Sequence, residues 1–318
     1  MSGIASRVKY YSRFSSPRSL VNKIENGELN KENNRRAHRV TRRDFLKLAG
    51  QLVLLMLGGT LYSTLIEPLW FDVEQITLKL PRLPKPFSGF RLAQISDIHA
   101  GEQWMPAHLD TVVEKLIALN PDAIAVTGDF VHSSPSATDE MLNLTEAALR
   151  KLSTHFPVYA VMGNHDYWWD VERVRSTFVR ANVMEMNNRF DTLSRGDASL
   201  HICGVDDVYE RMDDLEAVVS RLPHDGCAIL LAHEPDFADT SAAAGRFDLQ
   251  ISGHSHGGQV VVPFIGPIVL PRHGRKYPVG IYQVGNMIQY TNRGLGMVFP
   301  YVRFMCRPEI TLFTLMPA

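Results

Sequence analysis

The sequence has few cysteines, and this shortage excludes two classes of protein. Three of the 318 residues are cysteine, Cys203, Cys227 and Cys306, and no two of them form a Cys-x-x-Cys pair. An odd, widely spaced set of this kind argues against a disulfide framework and against a cysteine-based zinc site. The three thiols are instead expected to be buried as small hydrophobic side chains.

The chain also has almost no net charge, but its formal value of −1 conceals an asymmetry. Residues 1–47 hold 12 Lys or Arg against 4 Asp or Glu, whereas the remainder holds 21 basic and 30 acidic residues. An acidic body argues against a nucleic-acid partner. A basic tail ahead of an apolar stretch indicates membrane topology instead.

The N-terminal region does not show the pattern of a folded domain. Residues 1–40 are polar and basic with no sustained apolar period, so they are predicted to be a disordered tail. Residues 41–66 combine Thr-Arg-Arg-Asp-Phe-Leu-Lys with an uncharged stretch that begins at Leu48. This pattern resembles a bacterial twin-arginine signal, which implies the twin-arginine translocase as a partner. A plain anchor helix that follows a chance Arg-Arg pair is the alternative.

The apolar stretch is close to the minimum of ~17–20 residues that spans a bilayer. No good small-x-small cleavage site follows it, because Leu65 is a poor final residue. We therefore expect an uncleaved anchor in a bacterial cell membrane, with the basic side in the cytoplasm and the C-terminal body in the periplasm. Residues 67–89 carry four prolines and are predicted to be an extended linker with one possible strand, Gln75–Leu80.

From Phe90 onward, short apolar runs alternate with amphipathic segments, which predicts an α/β domain over residues 90–318. Strand–helix–strand repetition implies right-handed crossovers and a parallel sheet. The helical pattern thins after Leu222, which indicates a second, mixed sheet there. The predicted strands are Arg91–Ser96, Ala123–Thr127, Val158–Met162, Cys227–Ala232, Leu249–Ser252, Ile281–Val284 and Ile310–Leu315, and the predicted helices are Ala107–Leu119 and Ser136–Leu152.

Metal-ligand residue types follow five of the predicted strands. Working residues of α/β sheets gather beyond the carboxyl ends of the strands. Any one of these motifs alone could be a helix cap or a satisfied core group, but capping gives no reason for all five in this order. The motifs are Ser96-Asp97-Ile98-His99, Thr127-Gly128-Asp129, Gly163-Asn164-His165-Asp166, Ala232-His233-Glu234 and Gly253-His254-Ser255-His256.

Together the five motifs are similar to those of the calcineurin-like metallophosphoesterase superfamily, over roughly residues 90–318. The stretches Gly253–Gln259 and Thr291–Gly296 resemble a narrower group, the membrane-associated or twin-arginine-exported bacterial phosphodiesterases. The resemblance implies a four-layer α/β/β/α sandwich of two mixed sheets, preceded by the N-terminal membrane segment. It also implies a phosphoester hydrolase that uses a metal-bridging hydroxide as its nucleophile.

The resemblance assigns two divalent cations to these motifs. Imidazole and carboxylate ligands suit Mn, Fe, Zn or Co, and a shared carboxylate suits two cations ~3.5–4 Å apart. By resemblance, the ligands are Asp97, His99 and His256 for the first cation, Asn164, His233 and His254 for the second, and Asp129 as the bridge between both.

Three further residues receive roles from the resemblance. His165 would donate a proton to the phosphate or to the leaving oxygen, and Asp166 would fix the tautomer of the His165 ring. Capping of the following helix is the alternative for Asp166. Arg293 would bind substrate. His132 is expected on a surface loop, with a position facing the pocket as the alternative. Trp168 is expected, with its neighbour, to form either a substrate wall or a packed rim.

The leading hypothesis is a metal-dependent phosphodiesterase at the cell envelope, with a lipid-linked or other envelope phosphate ester as substrate. One alternative is the UDP-diacylglucosamine pyrophosphate hydrolase of lipid A synthesis, which would work on the cytoplasmic face of the inner membrane. A second alternative is a non-catalytic metal-binding scaffold. The complete ligand set argues against the scaffold, because decayed enzymes usually lose ligands.

Overall fold

A computed structural model describes residues 41–101, 105–133 and 138–318, and the tail predicted at residues 1–40 lies outside them. The chain divides into two compact units, one that ends at Met56 and one that runs from Leu57 to Ala318. In the first unit, the described residues are helical from Arg42 onward. The second unit holds both large sheets.

Helix α1 (Arg42–Leu61) begins with a reciprocal cap. The Asp44 N–H donates to Thr41 Oγ1 at 3.2 Å, and the Thr41 N–H donates to Asp44 Oδ2 at 3.3 Å, so the first turn satisfies its own donors. The helical path continues through a π-helical turn and a 3₁₀ turn to Leu69. By length and composition, the 28 residues Arg42–Leu69 could cross a membrane.

The first sheet has six strands in the order β1-β14-β2-β3-β4-β5. Strands β2 to β5 run parallel, so their carboxyl ends meet at one edge. Strand β14 runs antiparallel to β2 and parallel to β1, which makes the sheet mixed. The strands are β1 (Asp72–Leu80), β2 (Phe90–Ile95), β3 (Ala123–Thr127), β4 (Val158–Val161), β5 (Met184–Glu185) and β14 (Glu309–Pro317).

Helices cover one face of this sheet. They are α2 (Met105–Leu119), α3 (Asp139–Ser153), α4 (Asn164–Trp169) and α5 (Val171–Ala181). Their buried side chains, among them Leu116, Leu149 and Phe178, share a core with Ile124 and Val126 of β3. Helix α3 is amphipathic, with Leu142, Leu149 and Leu152 buried at helical spacing, and this explains why it packs on the sheet.

The second sheet has the order β12-β13-β9-β8-β7-β6. Its four central strands run parallel and its two edge strands run antiparallel to their neighbours. Helices α6 and α7 share a core with its outer face. The elements are β6 (Arg189–Arg195), β7 (Ala198–Gly204), α6 (Leu215–Val219), β8 (Cys227–Leu231), α7 (Ala238–Ala243), β9 (Leu249–Ser252), β12 (Gly280–Val284) and β13 (Met287–Thr291). A separate hairpin joins β10 (Val261–Val262) to β11 (Gly266–Pro267).

The two sheets face each other across a second hydrophobic core. Leu92 and Phe313 of the first sheet pack in it with Ile229 and Ile251 of the second. With helices on the outer face of each sheet, the unit has four layers, α/β/β/α, which confirms the predicted fold class.

The structure differs from the sequence-based prediction in two places. Residues 67–89 are part of the fold rather than a linker: the strand predicted at Gln75–Leu80 is present and begins earlier, at Asp72, and β1 pairs with β14 along all nine of its residues. Leu80 and Phe87 are buried in the core between the sheets. The second sheet also begins before Leu222, since β6 and β7 belong to it. The three cysteines are free and buried, as predicted.

Candidate metal centre

The carboxyl ends of the two sheets meet at the predicted motifs. Within each sheet, a backbone hydrogen bond connects neighbouring motifs: the Asp97 N–H donates to Gly128 O at 3.0 Å in the first sheet, and the Gly253 N–H donates to His233 O at 3.0 Å in the second. Between the sheets, the His254 N–H donates to Asp97 Oδ1 at 3.1 Å. All seven predicted ligands are buried in this one region.

The first group of candidate ligands is Asp97, His99 and His256, whose donor atoms lie within 4.8 Å of one another. The Nε2 atoms of the two imidazoles are 3.0 Å apart, and His256 Nε2 is 3.4 Å from Asp97 Oδ1. Three donors that converge in this way could hold a divalent cation, which imidazole and carboxylate groups bind well.

The second group is Asp129, His233 and His254, whose donor atoms also lie within 4.8 Å of one another. His254 Nδ1 is 3.2 Å from His233 Nε2, which in turn is 3.2 Å from Asp129 Oδ2. Asn164 belongs to the same region, and its Oδ1 is buried without a hydrogen-bond partner among the described residues. A buried carbonyl oxygen is costly to leave unpaired, so the Asn164 amide fits the role of a metal ligand.

Asp129 belongs to the second group and also lies beside the first. Its Oδ2 lies 3.2 Å from His233 Nε2 in the second group and 3.4 Å from His99 Nε2 in the first. Its Oδ1 accepts the His165 N–H at 2.9 Å, which fixes the carboxylate in place. One carboxylate oxygen is therefore positioned between the two sets of imidazole donors.

Neighbouring backbone carbonyls orient two of the imidazoles. His233 Nδ1 lies 2.7 Å from Thr127 O, and His254 Nε2 lies 2.7 Å from Arg272 O. A carbonyl accepts only from a protonated nitrogen, so each ring keeps its other nitrogen, His233 Nε2 or His254 Nδ1, as an electron-pair donor toward the site. Metal-binding histidines are commonly held in this way.

Burial keeps three of the imidazoles neutral, as ligation requires. It lowers the pKa of His254 and holds the pKa of His99 and of His256 well below the ordinary value. His233 differs: burial alone would lower its pKa, but the charge and hydrogen bond of Asp129, together with the charges of Asp97 and Glu234, raise the pKa of His233 well above its ordinary value. A bound cation would take the place of that proton.

Backbone strain is concentrated at these positions. Five of the seven candidate ligands, all of them non-glycine, have left-handed φ angles between 48° and 66°. Such angles are uncommon for residues with a Cβ, and strain of this kind clusters at functional sites. The five are Asp97, His99, Asp129, His254 and His256. Gly253 permits this crowding, because a Cβ there would overlap Ser96 Oγ and Asp97 Oδ2.

His165 lies beside the candidate ligands, with its ring centroid 4.7 Å from that of His99. The Ser133 N–H donates to His165 Nδ1 at 3.3 Å, and Ser133 Oγ is 2.9 Å from the same nitrogen. Because Nδ1 accepts from the backbone, the proton of the neutral ring is on Nε2. Burial lowers the pKa of His165, which favours that neutral form.

The role predicted for Asp166 as the partner of the His165 ring is wrong, because Ser133 occupies that position. The Asp166 carboxylate instead accepts the backbone N–H groups of four residues at distances of 2.8–3.2 Å. Three of those donors are consecutive residues from Asp129 to Val131, and the fourth is Gly163, which precedes α4. Asp166 thus caps the helix and fixes the backbone of Asp129.

The role predicted for Arg293 in binding substrate is also not supported by its position. Its Nε is 2.6 Å from Glu309 Oε2, and its Nη2 is 2.9 Å from Glu74 Oε1 and 3.5 Å from Asp72 Oδ2. Three carboxylates therefore hold the guanidinium at the start of strands β1 and β14. Arg272 lines the cleft instead, and among the described residues it is the only Lys or Arg that does so.

A cleft of about 590 Å³ opens above the candidate ligands. His165, Trp168 and Tyr209 form one side of it, and apolar residues such as Val269 and Phe299 form the other. Trp168 is a wall of the cleft, with its ring centroid 4.7 Å from that of His165. The following tryptophan packs against the helix–sheet core. Sequence reasoning missed Tyr209 because no motif marks its loop.

His132 is buried, so its predicted place on a surface loop is wrong. Its ring stacks on His165 with centroids 5.1 Å apart and an interplanar angle of 19°, and its Nδ1 is 3.4 Å from His99 Nδ1. Its position in the sequence, three residues after Asp129 and next to Ser133, could have indicated a place in the site. His132 thus contacts both His99, a candidate ligand, and His165, the predicted proton donor.

Comparisons with known proteins agree with this geometry. The calcineurin-like phosphoesterase family model matches residues 90–258. The uncharacterized metallophosphoesterase YkuE of Bacillus subtilis (strain 168) is 36% identical over 283 residues, which cover 87% of this chain and 98% of YkuE. Phosphodiesterase YaeI of Escherichia coli (strain K12) is 26% identical over 282 residues, which cover 87% of this chain and 99% of YaeI.

Two zebrafish proteins are also similar. A transmembrane protein with metallophosphoesterase domain from Danio rerio is 28% identical over 260 residues, which cover 77% of this chain and 57% of that protein. A solved dimetal phosphatase from Danio rerio aligns with a TM-score of 0.43 at 11% identity, over 65% of this chain and 88% of its own. Because the family model matches more than half of the chain, and YkuE matches along nearly its whole length, the chain belongs to the calcineurin-like phosphoesterase family and is a metal-dependent phosphoesterase.

Proposed function

We propose that the protein is a two-metal phosphodiesterase held at the cell envelope by its N-terminal helix. The observation that carries this proposal is the position of Asp129 Oδ2, within 3.4 Å of His99 Nε2 and 3.2 Å of His233 Nε2. One shared carboxylate between two sets of donors is the arrangement that two-metal sites require. The proposed ligands are Asp97, His99 and His256 for one cation, Asn164, His233 and His254 for the other, and Asp129 for both.

Two bound divalent cations would supply positive charge for the phosphoryl oxygens and would activate a water molecule. In the hydrolysis, water adds to phosphorus and the P–O bond to the leaving alcohol breaks, so the water loses one proton and the leaving oxygen gains one. The Nε2–H of His165 is placed to hydrogen-bond the leaving oxygen and pass its proton to it, because Ser133 holds Nδ1 as an acceptor. The proton that the water loses restores the neutral ring.

The cleft favours a diester over a monoester. A monoester carries about two negative charges near neutral pH, whereas a diester carries one and has a second organic group to accommodate. In the described lining of the cleft, Arg272 is the only basic residue besides the histidines, and the opposite side is apolar. The E. coli relative, which is named a phosphodiesterase, supports the same choice.

The proposed location rests on the N-terminal segment. The basic residues before α1 and the apolar helix itself are typical of a membrane anchor with a cytoplasmic N-terminus. A relative is named a transmembrane protein, which supports membrane attachment. The UDP-diacylglucosamine hydrolase alternative is not favoured, because the similar proteins are described as metallophosphoesterases or as a phosphodiesterase.

The test is a substrate screen with the purified full chain in detergent and added Mn. We expect bis(p-nitrophenyl) phosphate to be hydrolysed faster than p-nitrophenyl phosphate or a pyrophosphate diester, chelation to abolish the activity, and Mn to restore it. A faster monoester reaction would contradict the preference for diesters. No hydrolysis of any substrate with two metals bound would favour the non-catalytic scaffold.

A further inference from the structure

Two uncharged segments border the mouth of the cleft. Residues 259–271 and 294–302 contain no Asp, Glu, Lys or Arg. Several of their large side chains are exposed to solvent, with Phe264 fully exposed, Ile265 75% exposed and Phe299 81% exposed. Exposed apolar groups are ordinary when they are scattered singly, but a contiguous cluster of them marks an interaction surface.

The two segments adjoin each other and form one surface, which we call the apolar rim. Gln259 Nε2 of the first segment donates to Val298 O of the second at 3.0 Å, and the Val298 N–H donates back to Gln259 Oε1 at 2.6 Å. Ile268 and Phe299 are exposed and also line the cleft. The rim is therefore continuous with the wall of the cleft above the candidate metal centre.

The rim also adjoins the end of the apolar helical segment. The Arg303 N–H donates to Ser63 O at 2.9 Å, so the chain that leaves the rim contacts the turn that follows α1. Within the same compact unit, Leu65, Ile66 and Trp70 are exposed apolar residues on that turn and just beyond it. The mouth of the cleft thus lies beside the segment that we propose enters the membrane.

We propose that the apolar rim lies against the bilayer and that the substrate is a phosphodiester carried by a membrane lipid. The proposal rests on the proposed function and names its substrate class. The phosphodiester would reach the site from the membrane surface, with its acyl chains along the rim and Arg272 near its phosphate. Water adds to phosphorus, one ester P–O bond breaks, the alcohol gains a proton, and a phosphate monoester remains on the other product.

A second copy of the chain is the other occupant to consider for an exposed apolar surface. Such a copy would cover Ile268, Val269 and Phe299, which also line the cleft, and would obstruct access to the site. A bilayer on the same surface instead delivers the substrate. The contact between the rim and the helical segment at Ser63 favours the bilayer further.

The experiment compares two lipids that share the phosphatidylglycerol headgroup and differ in the length of their acyl chains. The full chain is reconstituted into vesicles of dioleoyl phosphatidylcholine, with Mn added. Hydrolysis is measured for dioleoyl phosphatidylglycerol in those vesicles and for dibutanoyl phosphatidylglycerol, which is monomeric in water. The double variant Phe264→Asp with Ile265→Asp introduces charge at the most exposed part of the rim, outside the cleft lining. The left-handed φ of 67° at Phe264 is one that Asp tolerates.

We expect the wild type to prefer the dioleoyl lipid. The double variant should lose about tenfold or more on it, because two apolar side chains that would enter the bilayer are replaced by charges, yet stay within about twofold on the dibutanoyl lipid and on bis(p-nitrophenyl) phosphate. Val179→Asp, at a position 81% exposed on α5, is the matched control and should change neither rate.

Three results would overturn the proposal. The first is that the wild type hydrolyses the two lipids at equal rates. The second is that the double variant loses equally on the lipid and on the soluble diesters. The third is that the double variant changes between monomer and dimer by light scattering without any loss of rate on the dioleoyl lipid. The last result would assign the rim to a second copy. If the wild type hydrolysed neither the lipids nor bis(p-nitrophenyl) phosphate, the proposed function itself would be contradicted, and the lipid substrate with it.

Discussion

At the scale of single residues, the proposed chemistry depends most on Asp129. Each other proposed ligand serves one cation, whereas Asp129 Oδ2 contacts imidazoles from both groups. Its backbone is held by the Asp166 carboxylate, and its other oxygen accepts the His165 N–H. Removal of the negative charge would therefore weaken both sites and would leave the two cations to repel each other.

Asp129→Asn keeps the shape of the side chain and removes its charge. We expect this variant to fold with a thermal melt close to that of the wild type, to bind markedly fewer than two metals, and to lose at least about 100-fold in activity, because even residues outside the ligand set contribute 10–100-fold. Elemental analysis beside the melt measures this. His256→Ala is the comparison and should lose mainly one metal. If Asp129→Asn kept two tightly bound ions and substantial turnover, the two-metal proposal would be wrong.

His165→Ala tests the proton donor. The variant should keep both metals and lose about 10²–10⁴-fold in rate on diesters with poor leaving groups, the usual range for general acid–base catalysis. The loss should be smaller for nitrophenyl esters, whose leaving oxygen needs no proton. His155→Ala, at an exposed position, is the control and should change neither rate. Equal losses for good and poor leaving groups would argue against the proton donor.

Ser133 tests what orients that donor. Ser133→Ala removes the hydroxyl 2.9 Å from His165 Nδ1 but keeps the backbone N–H. We expect kcat to fall by about fivefold, the equivalent of one hydrogen bond, with KM unchanged. Ser133→Thr keeps the hydroxyl and should retain the wild-type kcat. A parallel loss in Ser133→Thr would indicate that packing, rather than the hydrogen bond, is responsible.

At the scale of secondary structure, the sequence predicts the centre of the fold better than its edges. Ala123–Thr127 and Leu249–Ser252 are observed at the predicted bounds. They are buried strands with continuous apolar runs, a strong local signal. Strand β6 lies at the edge of the second sheet, and its residues are mostly polar and either exposed or half-buried. Its sequence pattern therefore resembles that of a loop. Three prolines follow β1, so the sequence indicated a linker at this position rather than part of a sheet.

In the candidate site, too, features that depend on neighbouring residues can be predicted from the sequence, whereas contacts between residues far apart in the chain cannot. The ligand residue types follow buried strands, so the sequence predicts that they converge. The partners of Arg293 cannot be predicted in this way, because Glu74 and Glu309 are separated from it in the chain and meet it only through the pairing of β1 with β14. The left-handed φ angles at the ligands are likewise set by tertiary contacts.

Strand β1 gives a prediction about the boundary of the catalytic fold. A chain that starts at residue 82 would lack Leu78 and Leu80, which are buried, and would leave β14 without its parallel neighbour. Loss of these two side chains alone costs about 3–6 kcal/mol, a large part of the about 5–15 kcal/mol that stabilises a typical domain. We expect this chain to be insoluble or to melt at a much lower temperature.

A chain that starts at residue 67 is the matched control for this truncation. It keeps β1 and also Glu67, whose buried Oε1 accepts the Cys306 N–H at 2.5 Å. We expect it to show one cooperative thermal transition. A shorter chain with the same melting temperature would mean that β1 contributes little and that residues 67–89 act as the linker predicted from the sequence.

At the scale of the whole molecule, charge and hydropathy are separated along the chain. The basic residues precede α1 or lie in its first turns, the acidic excess lies in the body, and the apolar part of the helical segment lies between them. Positive charge that flanks an apolar helix is retained in the cytoplasm. The separation therefore favours one orientation, with the catalytic body on the other side of the membrane from the N-terminus.

The last prediction concerns this orientation and the paired arginines that begin α1. A reporter fused after Ala318 should be found outside the cytoplasm, digested by protease added to spheroplasts, only when Arg42 and Arg43 are present. Changing both to Lys preserves the positive charge. It also preserves the helix cap, which is formed by Thr41 and Asp44. The double change therefore tests recognition by the twin-arginine translocase rather than formation of the anchor. Arg211→Lys with Arg221→Lys, in the acidic body, is the matched control and should not alter export. A reporter that stays in the cytoplasm, whether or not the arginine pair is changed, would refute the periplasmic location and would bring back the lipid A alternative.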